Sequence, residues 1–284
     1  MNQVVRAIFV VSIVSVSACG SAPPPPLPAA EEAALRSDQR GREAFRRGDM
    51  KEALASYDDA LRLYSSIENG QGAATELLNI ATVQYQLGQR ALALQALDQL
   101  LTARSATTPE ALKAEAAYRR AVFDFDAGDS ANAAQWLERA QGLCPAGNCE
   151  LAGRMLNLKA RMVLARKQLD AAENDAKRAL ELNRRRNDPI EEANSLRILA
   201  DIAAHRGQHA QAVTAYEQAL ALDKQAAAPG KIALDLLGAG RSLAAAGKTK
   251  EAAEYAERAL RVAESIGDER GQQEAKALLN SRSR

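Results

Sequence analysis

Aromatic side chains make up 4% of this 284-residue sequence, with a single tryptophan. Valine, isoleucine and aromatics are too sparse to fill the pleated faces of sheets, which excludes a β-sandwich or barrel. Neither sign of charge dominates. Lys plus Arg is 37 and Asp plus Glu is 36, a formal net charge of +1, so no general electrostatic attraction to nucleic acid or anionic lipid is expected. The one long apolar run, Ala7 to Ala18, is twelve residues, too short to span a bilayer. What the chain has in abundance is alanine (61) and leucine (34), together about a third of it. Both are strong helix formers. The length fits two ordinary domains or one long repeat array.

The start of the chain reads as an address. Arg6 is the only charged side chain before Glu31, and the run Ala7–Ala18 suits the core of a signal peptide. It ends Val16-Ser17-Ala18-Cys19, which resembles the bacterial lipobox, whose cysteine becomes the lipidated N-terminus. The resemblance implies cleavage after residue 18 and lipidation of Cys19. Gly20, where Asp would favour the inner membrane, implies the outer membrane, facing the periplasm. The alternative is ordinary cleavage after Ala18, giving a soluble periplasmic protein. Residues 19–30 hold five of the nine prolines and read as a stiff, extended tether.

From residue 31 to 284 the chain repeats. Gly48, Gly88, Gly128, Gly207 and Gly247 are spaced 40, 40, 79 and 40 residues apart, and Lys167 fills the gap as an equivalent without glycine. Five residues after each stand Ala53, Ala93, Ala133, Ala172, Ala212 and Ala252; seven before stand Gly41, Ala81, Ala121, Ala160, Ala200 and Gly240. Small residues at fixed positions let two antiparallel helices approach closely, while flanking leucines such as Leu54, Leu101 and Leu260 fill the space between repeats. Pro109, Pro145, Pro189 and Pro229 all fall between repeats, where helices should stop. The repeats are placed at about 34–73, 74–113, 114–152, 153–192, 193–232 and 233–272, followed by a cap over 273–284 that shields the last apolar face.

The motif is carried by Leu77-Leu78-Asn79-Ile80-Ala81 with Tyr85, Leu87-Gly88 and Ala93, and by Leu196, Leu199-Ala200, Gly207, Ala212, Tyr216 and Ala219-Leu220. It resembles the tetratricopeptide repeat (TPR). The period of 40, against the common 34, is similar to the long-helix subclass of kinesin light chains, spindle-orientation scaffolds and response-regulator aspartate phosphatases. The resemblance implies an all-α, right-handed TPR superhelix of six helix pairs plus a C-terminal capping helix. It also implies a concave groove lined by the first helix of each pair. The family's groove positions fall on Leu78, Thr82, Tyr85, Tyr118, Val122 and Phe125 in repeats 2 and 3. In repeats 4 to 6 they fall on Arg154, Asn157, Arg161, Asn194, Arg197, Asp201 and Arg241. The expectation is a peptide-binding groove with an aromatic, apolar end and a cationic, amide-rich end. Aromatics offer anchors, and Arg and Asn offer donors to carboxylates or peptide carbonyls. The alternative for Tyr85 and Phe125 is inter-helix core. As exposed charges, Arg161 and Arg197 are expected to contribute little to stability.

Dedicated chemistry is scarce. With Cys19 assigned to lipidation, Cys144 and Cys149 bracket a four-residue turn and read as a disulfide in an oxidising periplasm. His205 and His209 have i,i+4 spacing, but Gly207 between them is an expected turn, so they read as solvated residues and no metal site is expected. Arg184-Arg185-Arg186 reads as a solvated helix end. No phosphate loop, nucleophile elbow or paired-carboxylate site is present, so neither an enzyme nor a cofactor or small-molecule substrate is expected. The expected function is an outer-membrane-anchored periplasmic scaffold or assembly factor that binds a peptide segment of a protein partner. In layout it is similar to TPR lipoproteins that serve pilus-secretin or outer-membrane barrel assembly. The alternative is a regulator of a peptidoglycan-processing enzyme.

Overall fold

A computed structural model describes residues 27–104, 106–144 and 149–280. The signal segment, Cys19 and most of the Pro-rich tether lie outside the described residues. Those described form thirteen α-helices and no strand: α1 (Ala29–Arg46), α2 (Met50–Ser66), α3 (Gly70–Gln86), α4 (Arg90–Thr102), α5 (Glu110–Asp126), α6 (Ser130–Leu143), α7 (Ala152–Ala165), α8 (Leu169–Arg185), α9 (Pro189–His205), α10 (His209–Gln225), α11 (Pro229–Ala245), α12 (Thr249–Ser265) and α13 (Glu269–Asn280). None is long and apolar enough to cross a membrane. The chain is the expected all-α TPR superhelix of six helix pairs, α1/α2 to α11/α12, with α13 closing the array. The pairs start a little earlier than the repeats drawn from the sequence. α3 begins at Gly70, α9 at Pro189 and α11 at Pro229, because the stop signals mark a turn and the next helix begins directly after it.

The period of 40 has a local origin. α9, α10, α11 and α12 are each 17 residues long, and three residues connect each to the next. The middle connector residue is left-handed every time: Asn187, Gly207, Ala227, Gly247 and Gly267 have φ of 53°, 74°, 50°, 76° and 70°. Lys167, placed by spacing alone, has φ 59°. Each turn closes the helix before it in the same way. After α9, Gln208 N–H donates to Ala203 C=O at 2.9 Å and Gly207 N–H to Ala204 C=O at 3.0 Å, a Schellman closure. The residue after the left-handed one stands at the N-cap of the next helix, and where it is aspartate, at Asp188 and Asp268, its side chain caps that helix. Asp188 accepts from Glu191 N–H at 3.1 Å, and Pro189 opens α9, its fixed φ suiting the first helical position.

The small columns lie where helices touch. Ala53, Ala93, Ala133, Ala172 and Ala212, and opposite them Ala81, Ala121, Ala160 and Ala200, are fully buried. A Cβ at Gly41 would fall 2.5 Å from the Tyr57 ring, so no larger residue fits there. First helices also pack on first helices, α3 on α5, α5 on α7, α7 on α9, α9 on α11 and α11 on α13. This row forms the inner wall of the solenoid. Two junctions depart from the rule. α4 and α6 are 13 and 14 residues long, and longer connectors follow them. In the second, Cys144 and Cys149 are joined as a disulfide with Cα atoms 5.2 Å apart.

Candidate functional site: the concave groove

The first-helix row presents a chain of cavities. The central one, about 410 Å³, is lined by Tyr118, Val122, Asn157, Arg161, Asn194, Arg197 and Asp201, together with Leu158, Glu191, Ile198, Lys231 and Leu234. Seven of the expected groove residues therefore meet in one place. A smaller cavity of about 290 Å³ holds Asp201, His205, His209, Tyr216 and Arg241. Toward the N-terminus a larger one, about 770 Å³, is lined by Leu35, Phe45, Tyr57, Arg42, Arg46, Thr82 and Arg119. Repeat 1 thus contributes a substantial groove wall that the sequence reading left out.

The aromatic end differs from expectation. Leu78 is 4% exposed, packs in the core and is not among the side chains that line these cavities. Tyr85 stacks on Phe123 of the next first helix, with ring centroids 3.8 Å apart and planes 4° from parallel. That places it between helices. Phe125 packs against the same core and lies 5.0 Å beneath the Arg161 guanidinium. Thr82 Oγ1 donates to the Leu78 carbonyl at 2.9 Å and accepts from Arg119 at 2.6 Å. Tyr118 keeps its ring under Arg154, 4.6 Å away.

The cationic end is corrected as well, because its arginines are not free cations. Arg154 pairs with Glu115 at 2.7 Å and Glu191 at 3.8 Å. Arg161 pairs with Asp126 at 3.0 Å and Arg241 with Glu274 at 3.1 Å. Arg197, whose side chain is 15% exposed, pairs with Asp235 at 2.6 Å and also with Asp223, and both aspartates are 0% exposed. Asn194 Oδ1 accepts from Arg197 at 2.8 Å. Asn157 donates to the Glu191 carbonyl at 3.1 Å and accepts from Ser195 at 2.7 Å. Asp201 accepts from the Tyr216 hydroxyl. Most of these bonds link one repeat to the next, so the row is a polar ladder that also forms the groove floor.

Electrostatics follow from burial and partners. Burial would raise Glu115, but Arg119 and Arg154 overcome it and hold the carboxyl below its usual range. Burial raises Asp235 in spite of Arg197, and neighbouring Asp223 adds to the rise. Burial, with Asp38 nearby, pushes Glu76 up to about 8. Sequence reasoning missed these carboxyls, and it missed Lys231. One signal was present. Asn183 and Ser195, which bond at 3.1 Å, and Asp223 and Asp235 are both polar pairs twelve residues apart across a repeat junction. His205 and His209 flank the left-handed Gly207, as the turn required, and the described residues hold no group of three metal-ligating side chains.

Two tetratricopeptide-repeat family models match the chain, over residues 78–148 and 191–265, together about half of its length. No curated protein sequence matches it. Among solved structures, a STAND-family signal-transduction ATPase with a tetratricopeptide repeat sensor from Pyrococcus horikoshii is 18% identical with a TM-score of 0.63. That alignment covers 88% of this chain and 37% of that one, so the chain spans little over a third of that relative. A Rap protein complexed with competence and sporulation factor is 17% identical, TM-score 0.62, covering 88% and 70%. PilF of Pseudomonas aeruginosa is 20% identical, TM-score 0.54, covering 88% and 99%. At these identities the likeness is one of fold. With its forty-residue spacing, left-handed turns and alanine columns, the chain belongs to the tetratricopeptide-repeat family.

Proposed function

We propose that this protein is a lipid-anchored scaffold of the bacterial outer membrane, facing the periplasm, that captures a segment of another protein in its concave groove. The observation that carries the reading is the central cavity, where Tyr118, Val122, Ile198 and Leu234 supply apolar wall beside the polar ladder. Such a mixed surface suits a peptide, which brings both apolar side chains and backbone polar groups. The lipobox-like Val16–Cys19 and the Pro-rich tether support the location. Among structures of like fold, a Rap protein is complexed with competence and sporulation factor, which supports a partner-capturing role for a solenoid of this kind.

A photo-crosslinking residue at Val122 should capture a partner in the intact envelope, and one on the outer helices, at Lys177, should not. Capture from Lys177 alone would move the binding surface to the convex face. The captured protein's class separates an assembly role from regulation of a peptidoglycan enzyme. Cys19→Ser should shift the protein from the membrane fraction to the soluble periplasm. Unchanged retention would show that something other than the lipid holds it.

A further inference from the structure

Outside the groove, α4 stops at Thr102 after 13 residues, four short of α8, α10 and α12, although the spacing from Gly88 to Gly128 is still 40. Where the helix stops lies a cavity of about 590 Å³, lined from α2, α3, α4 and the connector that follows α4. That volume is in the range of small-molecule sites, about 300–1,000 Å³. Its lining is apolar at depth. Ala74, Leu77 and Leu100 are buried, and Leu61, Ala73 and Ala103 are half-buried. The connector is tied to the turn before α3. Thr107 Oγ1 accepts from Gly70 N–H at 3.0 Å and donates to the Glu68 carbonyl at 3.1 Å. Thr108 beside it lines the cavity and is 8% exposed. Among the described residues its hydroxyl has no hydrogen-bond partner. Buried polar groups are ordinarily paired, so Thr108 is where a ligand's polar group is wanted.

We infer that this cavity is a binding site for a free monoacyl lipid, an aliphatic chain whose ester or amide carbonyl accepts from the Thr108 hydroxyl. Two features of the lining select that class. Among the described residues no aromatic ring lines the cavity, so no stacking favours a flat ligand, and leucine and alanine suit an aliphatic body. The charged residue in the lining is Glu68, with no cation beside it among the described residues. A free fatty acid would therefore meet repulsion and no counter-ion. A neutral carbonyl satisfies Thr108 without bringing charge into an apolar space. The occupant is a separate molecule, because the lipid on Cys19 is held in the membrane in the reading above. The cavity is built on α2, α4 and the buried part of α3, apart from the concave groove, so it stands or falls independently of capture there.

The test uses the full chain with Cys19→Ser, which carries no lipid of its own, and a photoactivatable monododecanoylglycerol as the probe. Crosslinks should map to the end of α4 and to Ala106–Thr108. Unlabelled monododecanoylglycerol should compete about tenfold better than dodecanoate or dodecylamine, the scale of one hydrogen bond or of one charge left unpaired. Thr108→Val should weaken the ester by a similar factor and leave its ether analogue, 1-dodecylglycerol, unchanged. Ala106 is at the exposed rim, so Ala106→Phe should block labelling with the helical spectrum retained, which separates a filled site from a misfolded one. Labelling that is absent, or that survives Ala106→Phe, would overturn the inference. So would dodecanoate or dodecylamine competing as well as the ester. Loss of labelling in the lipidated parent in nanodiscs, with labelling kept in Cys19→Ser, would assign the cavity to the protein's own acyl chain and overturn the separate occupant.

Discussion

Arg197 holds two aspartates that solvent does not reach, Asp223 and Asp235, both 0% exposed. Removing the guanidinium strands two carboxyls in the repeat 5–6 junction, and breaking a buried pair costs about 3–5 kcal/mol. Arg197→Ala should lower stability to urea by that amount. Arg161→Ala, whose partner Asp126 is near the surface, should cost less than about 1 kcal/mol. Equal effects would show that burial does not govern the ladder. A second residue-scale prediction concerns Glu76, fully buried and with its pKa raised from 4.5 to about 8. Between those values the folded chain keeps a proton that the unfolded chain has released. Stability therefore falls as pH rises through the window, and the penalty is complete above about 8. Each tenfold difference in proton affinity between the folded and unfolded chain corresponds to roughly 1.4 kcal/mol. Glu76→Gln keeps an acceptor for Asn79 and removes the titration. Its stability relative to the parent should rise steadily from pH 5 to about pH 8 and then level off. Parallel profiles would mean that Glu76 is not the group responsible. The positions of Arg161 and Arg197 were legible from the repeat, but their neutrality was not. The partners of Arg197 stand 26 and 38 residues away, Asp223 on the second helix of the same pair and Asp235 on the first helix of the next, and only the packing of helix on helix brings them together.

Helices and turns were the most legible scale, because here the determinants are local. A 17-residue helix, a three-residue turn and a left-handed middle residue repeat until the period is 40. Lys167 was found by spacing without its glycine for the same reason. The alanine columns carry equally direct information, since each marks a helix crossing. Ala200 of α9, fully buried, packs with Ala212 and Tyr216 of α10. Ala200→Leu puts three further heavy atoms into that contact, and overpacking typically costs about 1–3 kcal/mol. A lowered Tm with a retained helical spectrum is the expected outcome, and a Tm unchanged within error would show that the crossing is elsewhere. The aromatic positions were less legible. Tyr85 and Tyr118 occupy corresponding faces of α3 and α5, yet one stacks on Phe123 and the other lies under Arg154. The choice depends on which residue the neighbouring repeat presents.

On the scale of the whole molecule, each repeat is stabilised by its neighbours alone, so the solenoid is as cooperative as its weakest junction. The regular junctions share the three-residue turn and its Schellman closure. The junction between repeats 3 and 4 lacks both. α6 ends at Leu143 and α7 starts at Ala152, and the Cys144–Cys149 bond ties the ends of that connector. The two cysteines could be read as a staple from the sequence, but where the staple sits, at one of the two junctions that lack the three-residue turn, needed the fold. Closing so short a loop is worth about 2 kcal/mol. Replacing both cysteines by serine should therefore cost no more than that in global stability. The loss should be uneven, with amide exchange rising most at the end of α6 and the start of α7, and little beyond α9. If coupling across this junction falls far enough, urea unfolding should separate into two transitions, repeats 1–3 and repeats 4–6. A single transition of unchanged midpoint, with exchange at α6 and α7 unaltered, would show that Leu137, Leu151 and Met155, buried in one core across the junction, hold the two halves together without the bond.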